Sequence, residues 1–165
     1  MKNIVLIGMA GAGKSTLGVV LAKSLGLSFI DTDLLIQERE GALLQEIIEK
    51  HGLEYFLTVE ETVCTELDVK SCVIATGGSV ALSDKAMENL KMNGTVVYLK
   101  VPYDEIKRRL SNITTRGIVF KEGQNLRDVY NERVALYEKY ADKIIEFGRC
   151  DLEDAVLLLV KKLRA

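Results

Sequence analysis

An α/β domain built on a five-stranded parallel sheet is the fold class this sequence predicts, and three observations predict it. Five short, largely apolar runs, at 4–7, 27–30, 72–75, 95–99 and 143–147, alternate with stretches of helical period. Most of these runs are apolar without a polar residue at every second position. That marks strands covered on both faces, the condition of a parallel sheet between two layers of helices. The first run passes through a glycine-rich turn straight into a helical pattern, the strand–turn–helix order of such folds.

The elements follow in order. Ile4 to Ile7 is the first strand, and Leu17, Val20, Leu21 and Leu25 then recur at helical spacing until Gly26 closes the run. Leu27 to Ile30 is a short buried strand. Residues 33–40 and 43–51 read as short helices and 53–69 as a longer one. Cys72 to Ala75 is the third strand, followed by a helix over about 83–91 and a turn at Asn93-Gly94. Thr95 to Leu99 is the fourth strand. Pro102 precedes a helix over 104–110, and residues 111–124 are polar, basic and without period. A helix over 125–141, a strand over 143–147 and a helix over 151–163 complete the chain, with Asp151 and Asp154 resembling a capping box.

Chemistry enters between the first strand and helix. Gly8-Met9-Ala10-Gly11-Ala12-Gly13-Lys14-Ser15 has the spacing G-x-x-x-x-G-K-S. Its glycines let backbone N–H groups form an anion nest, and the helix that follows aims its positive dipole end at the same point. Lys14 is placed to reach the outer phosphates of a nucleoside triphosphate, and the Ser15 hydroxyl to ligate Mg²⁺. Asp31 and Asp33 lie at the carboxyl end of the second strand, the ligand edge of an open α/β sheet. One suits the metal hydration shell and the other the proton of an attacking hydroxyl, although an Asp at a helix start also serves as an ordinary cap.

Thr76-Gly77-Gly78-Ser79 follows the third strand on the same edge and lets backbone approach a ligand closely. Lys107-Arg108-Arg109 and Arg116 read as a cationic lid over about 111–124, with a solvated charge run as the plainer account of Lys107 and Arg108. Arg133 has a competing reading as a surface ion pair with Asp128 or Glu132. His51, just before Gly52, reads as a helix C-terminal histidine.

Length and composition bound the rest. At 165 residues the chain is a single domain, 1–165, large enough to bury a core. A formal net charge of −2 offers no basic field for nucleic acid or a membrane surface, and no stretch has the length of a membrane span. Cys64, Cys72 and Cys150 are odd in number and widely spaced, so they read as reduced, mostly buried thiols of a cytoplasmic protein. Neither N-K-x-D nor D-x-x-G, the marks of a GTPase switch, occurs.

The combination of the loop at 8–15, Asp31-Thr32-Asp33, Gly77-Gly78, Arg116, and Arg133 followed by Leu136-Tyr137 and Ala141 resembles the shikimate kinase family over nearly the whole chain. The resemblance implies a three-layer P-loop kinase fold with strand order 2-3-1-4-5, a mobile lid, and an acceptor-binding segment over about 33–62. It implies ATP and Mg²⁺ as cofactors and transfer of the γ-phosphoryl to a hydroxyl of shikimate or a similar small hydroxy acid.

By the same resemblance the nucleotide is held by Gly8, Ala10, Gly11, Ala12, Gly13, Lys14, Ser15, Thr16, Arg109 and Arg116, with Arg109 stacked on adenine. The metal falls to Ser15 and Asp31. Catalysis falls to Lys14, Asp33 and Arg116, and the acceptor to Asp33, Gly77, Gly78, Ser79, Arg133 and position 57. Three positions depart from the family pattern. Leu57 stands where the pattern F-R-x-x-E has arginine, Ser79 where a third glycine falls, and Gly117 where a proline follows the lid arginine. A monomer with no nucleic-acid or membrane partner is expected. A kinase of a different small acceptor and a nucleotide-binding regulator without turnover remain the alternatives.

Overall fold

A computed structural model of the chain describes residues 1–111 and 121–165. Its strands are β1 (Asn3–Ile7), β2 (Ser28–Asp31), β3 (Cys72–Ala75), β4 (Gly94–Lys100) and β5 (Lys143–Glu146). Its helices are α1 (Lys14–Leu25), α2 (Thr32–Glu40), α3 (Leu44–His51), α4 (Leu53–Glu66), α5 (Asp84–Met92), α6 (Tyr103–Ser111), α7 (Leu126–Tyr140) and α8 (Leu152–Arg164). The strands form one sheet in the order β2-β3-β1-β4-β5, every neighbouring pair parallel, and helices cover both faces.

Register follows from the apolar runs. Val5 sits opposite Ile74 on one side and Val96 on the other, and all three are buried. The edge strands β2 and β5 are less covered, and only Ile145 of β5 is fully buried. The main core gathers both faces of the sheet with α1, α5, α7 and α8. A second, smaller core of Ile36, Ile47, Phe56, Val59 and Val63 lies among α2, α3 and α4, apart from the sheet.

Several boundaries differ from the sequence reading. α4 ends at Glu66 and not at 69, because Leu67 is extended. Gly94 is not part of a turn: it opens β4, paired with Asn3. A short 3-10 turn over Val80–Leu82, which no periodicity announces, joins β3 to α5. Gly26 ends α1 in the left-handed conformation, and the Asp151 carboxylate caps α8 by accepting from the Asp154 N–H at 2.8 Å, both as expected. All three cysteines are free. Cys64 and Cys72 are buried, while Cys150 is exposed. Among the described residues no helix is long and apolar enough to cross a membrane.

Candidate active site

The carboxyl ends of β1, β2 and β3 converge on one cavity of about 490 Å³. β1 delivers the glycine loop. Gly8 has φ +149°, and a Cβ there would stand 2.8 Å from the Leu99 carbonyl oxygen, so only glycine lets the loop leave the sheet against β4. Lys14 opens α1 and is buried, and its ammonium donates to the carbonyls of Gly8 and Met9, 2.7 Å each. The loop thus folds around its own lysine, which fixes that charge at the helix N-terminus. Ala10, Gly11, Gly13, Ser15 and Thr16 line the cavity beside it.

β2 delivers Asp31, whose two oxygens do different work. Oδ1 accepts from the Asp33 N–H at 2.9 Å and caps α2, and Oδ2 accepts from the Ser15 hydroxyl at 2.7 Å. The cap reading of this residue therefore holds, and its second oxygen is engaged with Ser15. The Ser15–Asp31 pair presents hard oxygen atoms beside the anion nest, the donor set that Mg²⁺ takes when phosphates complete its shell. Asp33, the second residue of α2, lines the same cavity.

β3 delivers Thr76 to Ser79. The Thr76 hydroxyl donates back to the Leu6 carbonyl at 2.7 Å, tying this turn to β1. At Gly77 a Cβ would come within 2.7 Å of Asp33 Oδ1 and 2.8 Å of Glu60 Oε2, so glycine is needed for close approach and not for backbone strain. Arg133 is buried, with Nη1 donating to the Gly78 carbonyl at 2.9 Å, and the Tyr137 hydroxyl donates to the same oxygen. That burial sets aside the surface ion pair; Glu132 instead accepts from Gln124 and lies 3.9 Å from Lys121.

Glu60, the last residue of the stretch that matches F-R-x-x-E, is one to which the sequence reading assigns no role. It is 3% exposed, lies against the cavity, and accepts from the Ser79 hydroxyl at 2.7 Å. Burial pushes its carboxyl up to about 7; the Asp33 charge adds to the rise, while the Ser79 hydrogen bond, Arg133 and Lys14 oppose it. The signal lay in α4 itself. Its buried positions are Phe56, Val59, Glu60, Val63 and Cys64, so a charged residue occupies a place in the apolar stripe.

Arg109 lies on the other side of the glycine loop, with Nε donating to Glu105 Oε1 and Nη1 to the Gly11 carbonyl, both at 3.0 Å. Arg108 also pairs with Glu105, and hydrogen bonds from the two arginines hold that carboxyl at about 2. Arg109 borders a second cavity of about 450 Å³ shared with Gly11, Thr16, Phe147 and Leu152, open to the loop.

The structure brings Ala10, Gly11, Gly13, Lys14, Ser15 and Thr16 with Asp31, Asp33, Gly77, Gly78, Ser79 and Arg133 to one cavity, whereas Gly8 and Ala12 of the loop are buried and do not line it. Leu57 is half-buried and packs against the second core. His51 is exposed at the end of α3, its ring 4.4 Å from that of Tyr55. Arg116, Gly117 and residues 112–120 of the expected lid lie outside the described residues.

The family model for shikimate kinase matches residues 10–164. The chain is 37% identical over 157 residues to the shikimate kinase of Caldanaerobacter subterraneus subsp. tengcongensis, covering 93% of this chain and 91% of that protein. The solved shikimate kinase from Acinetobacter baumannii in complex with shikimate superposes with a TM-score of 0.91 at 36% identity, over 99% of this chain and 93% of that one. That from Aquifex aeolicus gives 0.82 at 31%, over 98% and 96%.

Proposed function

The chain belongs to the shikimate kinase family, and on that premise we propose that its cavity is the active site of an ATP-dependent kinase that phosphorylates a hydroxyl of shikimate. One observation carries the reading. A single cavity is walled on one side by the phosphate loop with its buried Lys14 and on another by Asp33, Gly78 and Arg133, so donor and acceptor meet without an intervening element.

In this reading the loop N–H groups and Lys14 hold the β- and γ-phosphates. Phosphoryl transfer is mostly positioning and charge stabilisation, and a buried ammonium at a helix N-terminus supplies both. Ser15 and Asp31 hold Mg²⁺, which neutralises phosphate charge when bound. Asp33 accepts the proton of the attacking hydroxyl, and Arg133 pairs the acceptor carboxylate while Gly77, Gly78 and Ser79 shape the pocket floor. Arg109 stacks on adenine in the second cavity, and Arg116 closes over the phosphates. The protein acts as a cytoplasmic monomer of one domain.

Steady-state phosphoryl transfer from ATP to shikimate tests the assignment. Lys14→Ala is expected to fold, judged by circular dichroism, and to lose at least about a hundredfold in kcat, the scale of losing a transition-state charge partner. Near-normal turnover in that variant would remove the loop from the active site.

A further inference from the structure

Glu105 stands in the first turn of α6, only 9% exposed, and three guanidinium groups converge on it. Arg108 donates through Nε to Oε2 at 3.0 Å and through Nη2 to Oε1, Arg109 donates through Nε to Oε1 at 3.0 Å, and Nε of Arg149 lies 3.5 Å from Oε2. The three are not equally held. The side chains of Arg108 and Arg149 are 50% and 78% exposed and that of Arg109 only 27%, and water weakens the exposed pairs most. Arg109 also reaches a second element, because its Nη1 donates to the Gly11 carbonyl of the glycine loop. An ion pair one turn apart on a helix is ordinary and leaves the arginine tip free to move. Here two acceptors from two elements engage one guanidinium. Arg109 borders the second cavity with Phe147, Gly148, Cys150 and Leu152, whereas Glu105 does not line it. Ordering a long side chain costs entropy, and a side chain ordered before its ligand arrives removes that cost from binding.

We propose that Glu105 is a positioning residue for the nucleotide base: with the Gly11 carbonyl it fixes Arg109 beside the second cavity before the base enters, and so sets how much affinity the base adds to that of the phosphates. This rests on the reading of that cavity as the adenine site.

Dissociation constants for ATP with Mg²⁺ and for inorganic tripolyphosphate with Mg²⁺, measured by calorimetry, test it on wild type, Glu105→Ala, Glu105→Gln, Arg109→Ala and the double alanine variant. Tripolyphosphate has no base, so its affinity reports the phosphate site alone, including the general gain of positive charge when Glu105 is removed. In Glu105→Ala the ratio of the ATP Kd to the tripolyphosphate Kd is expected to rise about three- to tenfold, the scale of ordering one arginine at the moment of binding. Glu105→Gln should raise it less, since the amide oxygen still accepts from Arg109. In the double variant the ratio should equal that of Arg109→Ala, because Glu105 acts through that side chain. In turnover, Glu105→Ala should raise the KM for ATP while kcat and the acceptor KM stay within about twofold.

An unchanged ratio, or a ratio in the double variant above that of Arg109→Ala, overturns the proposal and leaves Glu105 a counter-ion of structural use. If Glu105→Ala does not fold, Glu105→Gln carries the same comparison. Cys150 separates this failure from that of the cavity's reading, since it is exposed and borders the same cavity, while Cys64 and Cys72 are buried. ATP, and not tripolyphosphate, should slow alkylation of the Cys150 thiol by iodoacetamide in wild type. Protection by ATP with an unchanged ratio in Glu105→Ala overturns the role of Glu105 alone. Absence of protection, with Arg109→Ala leaving the ratio unchanged, removes the base from this cavity, and the role of Glu105 falls with it.

Discussion

Glu60 turns one position of α4 into a link between stability and pH. An unfolded chain titrates this carboxyl near 4.5, whereas the native state holds it at about 7. The folded form therefore binds the proton more tightly, and the stabilisation is complete below 4.5 and lost as pH rises through about 7. The difference is on the order of 3 kcal/mol for a group so deeply buried. The groups facing it are Asp33 from α2, Ser79 from the turn after β3, Lys14 from α1, Cys64 on α4 itself, and Arg133 and Tyr137 from α7. Glu105 runs the opposite way, its contribution present above 4.5 and lost toward about 2, so it lies outside that window. Melting temperature is expected to fall between about pH 5 and about pH 8, and Glu60→Gln to flatten that slope; an unchanged slope in the variant would assign it to another group. Leu57 makes a separate case. A charge-assisted hydrogen bond is worth roughly 1.5–3 kcal/mol, so Leu57→Arg is expected to lower the KM for shikimate about tenfold or more. No change in that KM would mean that the acceptor carboxylate is served by other groups.

At the level of elements, α2 begins on a residue with two employments. Asp31 caps the helix with one oxygen and holds Ser15 with the other. Asparagine caps a helix about as well as aspartate but brings no charge to a metal. Asp31→Asn is therefore expected to melt within about 2 °C of wild type while needing about tenfold more Mg²⁺ for half-maximal turnover. Asp31→Ala should lose in addition about 1 kcal/mol of stability; equal melting of the two variants would deny the cap its role. How far such elements can be read from sequence depends on where their information lies. β1, β3 and β4 were legible because apolar runs need cover on both sides, and α8 because Asp151 announces its start. The loop at 8–15 was legible because its chemistry demands a fixed spacing. The end of α4 was not, since Leu67 and Val69 continue the apolar period although the backbone there is extended. Glu60 and Ser79 went unpaired because their contact joins a helix to a turn across 19 positions, which no local period encodes.

Across the whole molecule, α2, α3 and α4, the proposed acceptor side, share a small core of their own apart from the sheet. Ile36, Ile47, Phe56, Val59 and Val63 hold α2, α3 and α4 to one another, whereas Cys64, the residue after Val63, already belongs to the main core. The nucleotide side has no such separation, because the glycine loop, α1 and α8 are continuous with the core around β1 and β4. Exchange of residues 33–62 for the matching stretch of the Acinetobacter baumannii relative is expected to give a folded chimera. Its KM for ATP should stay within about threefold of the parent, while its KM for shikimate moves toward the donor's, a difference that single-residue hydrogen bonds of about tenfold each can produce. An unfolded chimera would show that the small core depends on contacts with the sheet.

That division has a meaning for descent. A protein whose acceptor wall rests on its own few apolar side chains can drift in what it accepts while the machinery that handles ATP stays under unbroken selection. Mutations among Ile36, Ile47 and Phe56 put at risk a helical flap and not the sheet, so a lineage can try new acceptors at low hazard to viability. The departure at Leu57 falls on this tolerant side of the molecule, as such a history would leave it.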